Sequence, residues 1–298
     1  MSKKITGVFS PISTPFADQE VSLSYLKENV RRYAQTPLAG YLVLGSNGEN
    51  RSLSEQEKLQ VLETVIREKQ AAQIVIAGVV SESTRLAILF AQQAAELGAD
   101  YVSLLPPSYF KKQLTDEAYV QYYLEVAEKS AVPVMIYNAP GFNGVTLSPK
   151  VVEKIASHPN VAGMKDTDSG KIFNYLEICH DLDFAILSGT INTMMPALLL
   201  GAAGGVVSLA NTFPRECFEL YQAVQNGTLE EARQINLRLL RLNRAISGSS
   251  GIAGVKYAME LAGYHGGDPR RPLLPLTEAA KEHIRSAIAA AGITVEKQ

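Results

Sequence analysis

Lys165 closes a short apolar run, VAGMKDT, from Val161 to Thr167. A buried strand is an unusual place to end on an ammonium. Burial disfavours the charged form of an amine and leaves more of it as the nucleophilic free base. Such an amine attacks a carbonyl carbon and forms an imine. A second apolar run, PVMIYNAP, carries Tyr137 near its end. A third, GYLVLGSNGE, ends in a turn bearing Ser46 and Asn47, and a fourth, FAILSGT, reaches Gly189. An amine, a phenol and a small polar turn, each at a strand's exit, point to one shared site. In the turn Gly45–Glu49, two glycines let backbone N–H groups close on a ligand. With the Ser46 hydroxyl and the Asn47 amide, that concavity suits a carboxylate. The same residues also serve a plain strand-to-helix connection, and both readings stay open.

These residues need elements that bring strand ends together. Eight short apolar runs begin at Gly7, Gly40, Ile74, Asp100, Pro133, Val161, Phe184 and Gly204. Their continuous apolarity fits strands buried on both faces of a parallel sheet. The segments between them read as helices. Ser54 and Glu57 predict a capping box. Ser83 predicts an N-cap and Gly98 the C-cap of the same helix. Thr115 opens another, and Ser148 with Pro149 a fourth, with proline at the first helical position. Ser188, Gly189 and Thr190 lead into INTMMPALLLG. Strands alternating with helices predict an α/β fold, most economically a (β/α)8 barrel, with an open doubly wound sheet as the alternative. In such a barrel the active site lies at the carboxyl ends of the strands, where Lys165, Tyr137, Ser46, Asn47 and Gly189 all fall. No G-x-G-x-x-G follows the first strand and no G-x-x-x-x-G-K-[ST] occurs. From Pro214 onward the pattern is helical only. The expected organisation is a barrel over residues 1–212 with a closely packed helical extension over 213–298.

Composition narrows the class. A chain of 298 residues, 46% hydrophobic and 19% charged, reads as soluble and globular with ample material for a core. A net charge of −2 without a basic run gives no reason to expect nucleic acid. MSKKITGVFS has no long apolar stretch after its lysines, so no secretory signal is expected. MMPALLLGAAGGVVSLA is broken by Pro196 and several glycines, and reads as a helix followed by a buried strand rather than a membrane span. Cys179 and Cys217 form no C-x-x-C pair, and read as buried, inert thiols in a reducing cytoplasm. His158, His180, His265 and His283 are scattered, so no metal site is expected.

Taken together, GSNGE, PPSYF (Pro106–Phe110), YNAPGFNG (Tyr137–Gly144), GMKDT, LSGT and GYHGGDPRRPLLPL resemble the dihydrodipicolinate synthase/N-acetylneuraminate lyase superfamily of class I pyruvate-dependent aldolases. The resemblance spans nearly the whole chain. It implies a barrel with a C-terminal helical extension, a homotetramer of paired dimers, a 2-oxo acid substrate and no cofactor. By position, it implies that Lys165 forms the imine and Tyr137 shuttles protons. Ser46 and Asn47 hold the α-carboxylate. Tyr109 reaches into a neighbouring subunit's site, Thr167 and Gly189 line the pocket, and Val206 offers its carbonyl. Two departures bear on substrate. Phe142 stands where the synthases carry an arginine, and Ser46-Asn47 where they favour two threonines. Without that arginine a bidentate grip on a dicarboxylic semialdehyde is lost, and Lys111 is a weak candidate for a replacement cation. The pattern looks most like aldolases that cleave 4-hydroxy-2-oxoglutarate or 2-keto-3-deoxy sugar acids. The alternatives are 4-hydroxy-tetrahydrodipicolinate synthase, joining pyruvate to aspartate semialdehyde, and a non-catalytic sensor of 2-oxo acids.

Overall fold

The computed structural model of the protein describes residues 5–293. Strand β1 (Gly7–Ser10) is followed by a two-stranded hairpin, β2 (Phe16–Ala17) and β3 (Glu20–Val21), then helix α1 (Leu23–Tyr33) and β4 (Gly40–Val43). From there strand and helix alternate: α2 (Glu55–Glu68), β5 (Ile74–Val79), α3 (Thr84–Leu97), β6 (Tyr101–Leu104), α4 (Asp116–Lys129) and β7 (Val134–Asn138). A short α5 (Pro140–Asn143) precedes α6 (Pro149–Ala156), β8 (Val161–Asp166), α7 (Ile172–Ile178), β9 (Ala185–Ser188), α8 (Ile191–Leu199) and β10 (Gly204–Val206). Strands β1 and β4 to β10 pair in parallel, in the order β1-β10-β9-β8-β7-β6-β5-β4, and β1 closes the ring on β4. The fold is a (β/α)8 barrel, and each of the eight apolar runs supplies one strand.

The helix ends follow local chemistry. Ser54 and Glu57 close both halves of the capping box on α2. Thr115 and Ser148 accept the N–H groups of Ala118 and Val151. Gly98 ends α3 at φ 101, in the left-handed region. Ser83 occupies the N-cap of α3, but its hydroxyl makes no capping bond. Instead its own N–H donates to Ser81 Oγ. The hairpin carries no sequence signal because two-residue strands are too short for periodicity. Its turn residues Asp18 and Gln19 both adopt positive φ (51 and 70), the geometry of a tight hairpin loop.

Among the described residues, four α-helices follow the last barrel strand: α9 (Pro214–Gln225), α10 (Leu229–Asn243), α11 (Ser249–Leu261) and α12 (Glu278–Ala290). Helix α9 packs on β1 and α8, and α12 on α10 and α11. Gly251 breaks the helical path at the start of α11 with φ 56. The outermost residues of the expected domain limits, 1–4 and 294–298, lie outside the described residues.

Side-chain parity divides the core. Successive residues of a strand point to opposite faces. Phe9, Leu42, Met135, Leu187 and Val206 form one buried cluster within the ring. Val8, Val43, Ile136 and Met164 join the larger cluster between the strands and the surrounding helices. Tyr137 and Lys165 share the parity of Met135 and Gly163, so both face inward. Asn138 and Asp166 face the helices.

Candidate active site

Strands β7 and β8 pair with Tyr137 beside Lys165 and Asn138 beside Asp166. This register places phenol and amine side by side at the carboxyl ends of adjacent strands. Lys165 is 4% exposed and Tyr137 2%. Lys165 Nζ lies 3.4 Å from Tyr137 Oη and 4.4 Å from the centre of its ring. Ser46 Oγ lies 3.1 Å from the same phenol oxygen. The three groups form a continuous chain, Ser46–Tyr137–Lys165, along which a proton can pass.

The Gly45–Glu49 turn is held on every side. Leu44 and Glu49, which bracket it, both have positive φ (62 and 52). Non-glycine residues rarely adopt that region, at a cost of about 1–3 kcal/mol each. Asn50 Nδ2 secures the entry by donating to Leu44 O at 2.9 Å. The hydroxyl of Thr14 donates to Gly48 O. Asn47 Nδ2 donates to Ser208 Oγ at 2.8 Å, tying the turn to the segment after β10. Ser208 is a neighbour that the sequence does not single out, because it is remote in the chain and common in type.

The remaining expected residues lie around this centre, with one outlier. The N–H and hydroxyl of Thr167 both donate to Asn138 O, at 2.9 and 3.2 Å. Gly189 donates its N–H to Asp166 O at 2.6 Å. A Cβ at Gly189 would stand 2.5 Å from Thr167 Cγ2 and 2.7 Å from Asp166 O, so only glycine fits this crossing. Val206 is buried in the inner cluster of the barrel. Tyr109 is the outlier: its side chain is 79% exposed and packs edge-on against Phe110. Among the described residues it makes no hydrogen bond to the Ser46–Tyr137–Lys165 chain. Glu82 holds its backbone instead, accepting the N–H groups of Ser108 and Tyr109. Phe142 is exposed on α5. Lys111 Nζ lies 3.5 Å from Gly144 O on the same loop.

Behind the inward pair sits a polar layer that sequence patterning did not flag. Asn138 Nδ2 donates to Asp166 Oδ1 at 2.6 Å, and Asn138 Oδ1 accepts the N–H of Leu147. Tyr175, on α7, donates its hydroxyl to Leu147 O at 2.6 Å. Burial pushes the Asp166 carboxyl up to about 7, against the opposing pull of the Asn138 amide. Its second oxygen has no hydrogen-bond partner among the described residues. Strand parity could have placed Asp166 outward, since it directly follows the inward Lys165.

Both cysteines are free and buried, and burial pushes the Cys179 thiol up to about 11 and that of Cys217 higher still. Among the described residues no three His, Cys, Asp or Glu side chains gather as metal ligands. No described helix is long and apolar enough to cross a membrane. A cavity of about 760 Å3 opens at the opposite end of the barrel, lined by Ile5, Tyr101, Val161 and Phe184, away from Lys165.

A closed parallel barrel with a buried amine beside a phenol at its carboxyl end can form an imine with a carbonyl compound and move the protons that step requires. The chain belongs to the dihydrodipicolinate synthetase family, whose profile matches residues 4–291, and is a carbon–carbon lyase. It is 33% identical over 287 residues to a 4-hydroxy-tetrahydrodipicolinate synthase of Methanospirillum hungatei, covering 95% of this chain and 98% of that one. A protein of the same name from Caldicellulosiruptor bescii is 32% identical over 288 residues, covering 95% and 96%. Among solved structures, the dihydrodipicolinate synthase of Thermotoga maritima superposes with a TM-score of 0.92 at 27% identity, covering 97% of this chain and 99% of that one. A putative dihydrodipicolinate synthetase from Pseudomonas aeruginosa gives 0.91 at 28%, covering 97% and 100%.

Proposed function

We propose that the protein is a class I aldolase in which Lys165 forms an imine with pyruvate, and that its second substrate is aspartate semialdehyde. The observation that carries the first half is the buried Lys165 amine at 3.4 Å from the Tyr137 phenol. The free amine attacks the 2-oxo carbon, and the carbonyl oxygen leaves as water after protonation. Tyr137, linked to Ser46, supplies and recovers the protons of that exchange. Loss of a C3 proton from the imine gives an enamine. Its carbon attacks the aldehyde, whose oxygen takes up a proton, and the semialdehyde's own amine then attacks the imine carbon, closing the ring and releasing Lys165 as the leaving amine. In reverse, the protonated imine accepts the electron pair released as the C3–C4 bond breaks. Ser46, Asn47 and the N–H groups of their turn hold the α-carboxylate. Thr167, Gly189 and the Val206 carbonyl line the pocket.

The second half rests on the relatives' name, 4-hydroxy-tetrahydrodipicolinate synthase. That name favours condensation over the cleavage of 4-hydroxy-2-oxoglutarate or 2-keto-3-deoxy sugar acids expected from the turn motif. One feature keeps cleavage in play as a second reading. Phe142, in place of arginine, presents an apolar ring on the loop that would meet the distal group. A homotetramer in which Tyr109 completes a neighbour's site, and a cytoplasmic location, belong to the same proposal. Borohydride with pyruvate should add covalent mass to the peptide carrying Lys165; an adduct elsewhere, or none, refutes the imine. A coupled assay with aspartate semialdehyde, run beside pyruvate release from 4-hydroxy-2-oxoglutarate and a panel of 2-keto-3-deoxy sugar acids, separates the two readings.

A further inference from the structure

Lys256 is a second buried lysine, and the mechanism above does not use it. It lies on α11, beyond the completed barrel, and is 0% exposed. Its Nζ lies 3.0 Å from Glu49 Oε1, which has no other partner among the described residues. It donates to Thr14 O at 2.8 Å and Asp268 O at 3.3 Å, and sits 4.3 Å from the centre of the Phe16 ring. The second Glu49 oxygen accepts the N–H of Arg270 at 2.9 Å. Glu49 ends the Gly45–Glu49 turn at a positive φ, and its own N–H donates to Ser46 O at 3.1 Å. One ammonium thus gathers the turn, the segment after β1 and the segment after α11. Gly266 and Gly267 permit that closeness, since a Cβ on either would strike Lys256 O or Phe16 O.

Burying an ion pair stabilises little compared with an apolar pair of similar volume, because both ions lose their water. Its directional contacts can hold a strained backbone in one arrangement. Burial lowers the Lys256 pKa while Glu49 opposes that shift, so the ion pair and its site depend on each other. We propose that Lys256 is a positioning residue. Through Glu49 it fixes the Ser46–Asn47 turn in the shape that receives the substrate's α-carboxylate, and so makes pyruvate affinity depend on the C-terminal helices. The inference rests on the reading of that turn as a carboxylate cradle.

Borohydride trapping at a series of pyruvate concentrations, on the full chain, yields a half-saturating concentration and a maximal trapping rate. Lys256→Met and Glu49→Gln should raise the half-saturating concentration about 10- to 100-fold, as a misplaced binding group does. The maximal rate should stay within about threefold, because Lys165 and Tyr137 are untouched. The double variant Glu49→Gln/Lys256→Met leaves no unpaired charge, so it should recover melting temperature while pyruvate binding stays weak. Val126→Ala, a core truncation on α4, should lower melting temperature and leave half-saturation alone. If a single variant does not fold, the double variant decides. A half-saturating concentration within about twofold of wild type in the folded variants overturns the positioning role and leaves a purely structural anchor. No adduct in the wild type overturns the imine reading itself, and this inference with it.

Discussion

A buried amine, a phenol and a serine hydroxyl in sequence form a minimal proton path. Ser46 and Lys165 approach Tyr137 Oη from two sides, at 3.1 and 3.4 Å. Removing the phenol oxygen in Tyr137→Phe should leave the fold intact and lower kcat about 10²–10⁴-fold, the usual span for a lost acid–base group. Lys165→Ala should abolish both turnover and the borohydride adduct, and retained turnover would refute the mechanism. Asp166, one residue on, makes a separate prediction about pH. Its folded pKa of about 7 lies above the ordinary 3.8. The folded state therefore binds the proton more tightly than the unfolded chain. The stability this contributes is complete below pH 4 and is lost as pH rises through about 7. Asp168, Lys171, Asn138 and Tyr175 surround the group, and desolvation by burial is the leading cause of its shift. Asp166→Asn keeps an acceptor for Asn138 and carries no charge. Its melting temperature should therefore fall less between pH 4 and 8 than that of the wild type, and parallel curves would show that Asp166 titrates normally.

At the scale of elements, placement follows from period and register. A period of two puts Tyr137 and Lys165 on the same side of their strands, and the β7–β8 register sets them level. The crossing of β8 and β9 exits at Gly189 has no room for a side chain. Gly189→Ala must push apart Thr167 and the Asp166 carbonyl. It should lower kcat/KM more than it lowers melting temperature, and the reverse pattern would show that the crossing is only structural. Helix caps act locally by contrast. Ser54→Ala removes the hydroxyl that accepts the Glu57 N–H and leaves the backbone half of the capping box in place. It should cost about 1 kcal/mol in chemical denaturation with no change in kcat.

For the whole molecule, the C-terminal helices matter because they reach back over the barrel. Arg270 grips Glu57 through two nitrogens at 2.7 and 2.9 Å and lies over Phe16, so one side chain joins the last segment to α2 and the hairpin. That grip holds the Glu57 carboxyl down at about 2. Its contribution to stability is present above the usual carboxylate range and is lost as pH falls towards 2. The surface also bears on assembly. Leu86, Leu89, Tyr109, Phe110 and Phe142 are each at least half exposed. Large apolar side chains in water favour burial against another molecule. Sedimentation should return a tetramer, and a monomer at micromolar concentration would leave Tyr109 without a neighbouring site to complete.

Much of this was legible in the chain itself. Eight apolar runs separated by capped amphipathic segments specify a parallel sheet covered on both faces, because continuous apolarity needs two covered faces, and the pairing of β1 with β4 closes it into a barrel. The strand-end positions of Lys165, Tyr137, Ser46, Asn47 and Gly189 follow from the same runs. Local signals failed where the interaction is not local. Ser83 has the residue type of a cap but not its bond: its hydroxyl accepts no helix N–H, while its own N–H donates to Ser81 Oγ. The partners of the Gly45–Glu49 turn come from far along the chain: Ser208 for Asn47, Lys256 and Arg270 for Glu49. Hydrophobic period reports which face of an element is buried. It carries no information about which distant polar atom will meet it there, and only the closed fold, which excludes water and demands a partner for each buried charge, decides that.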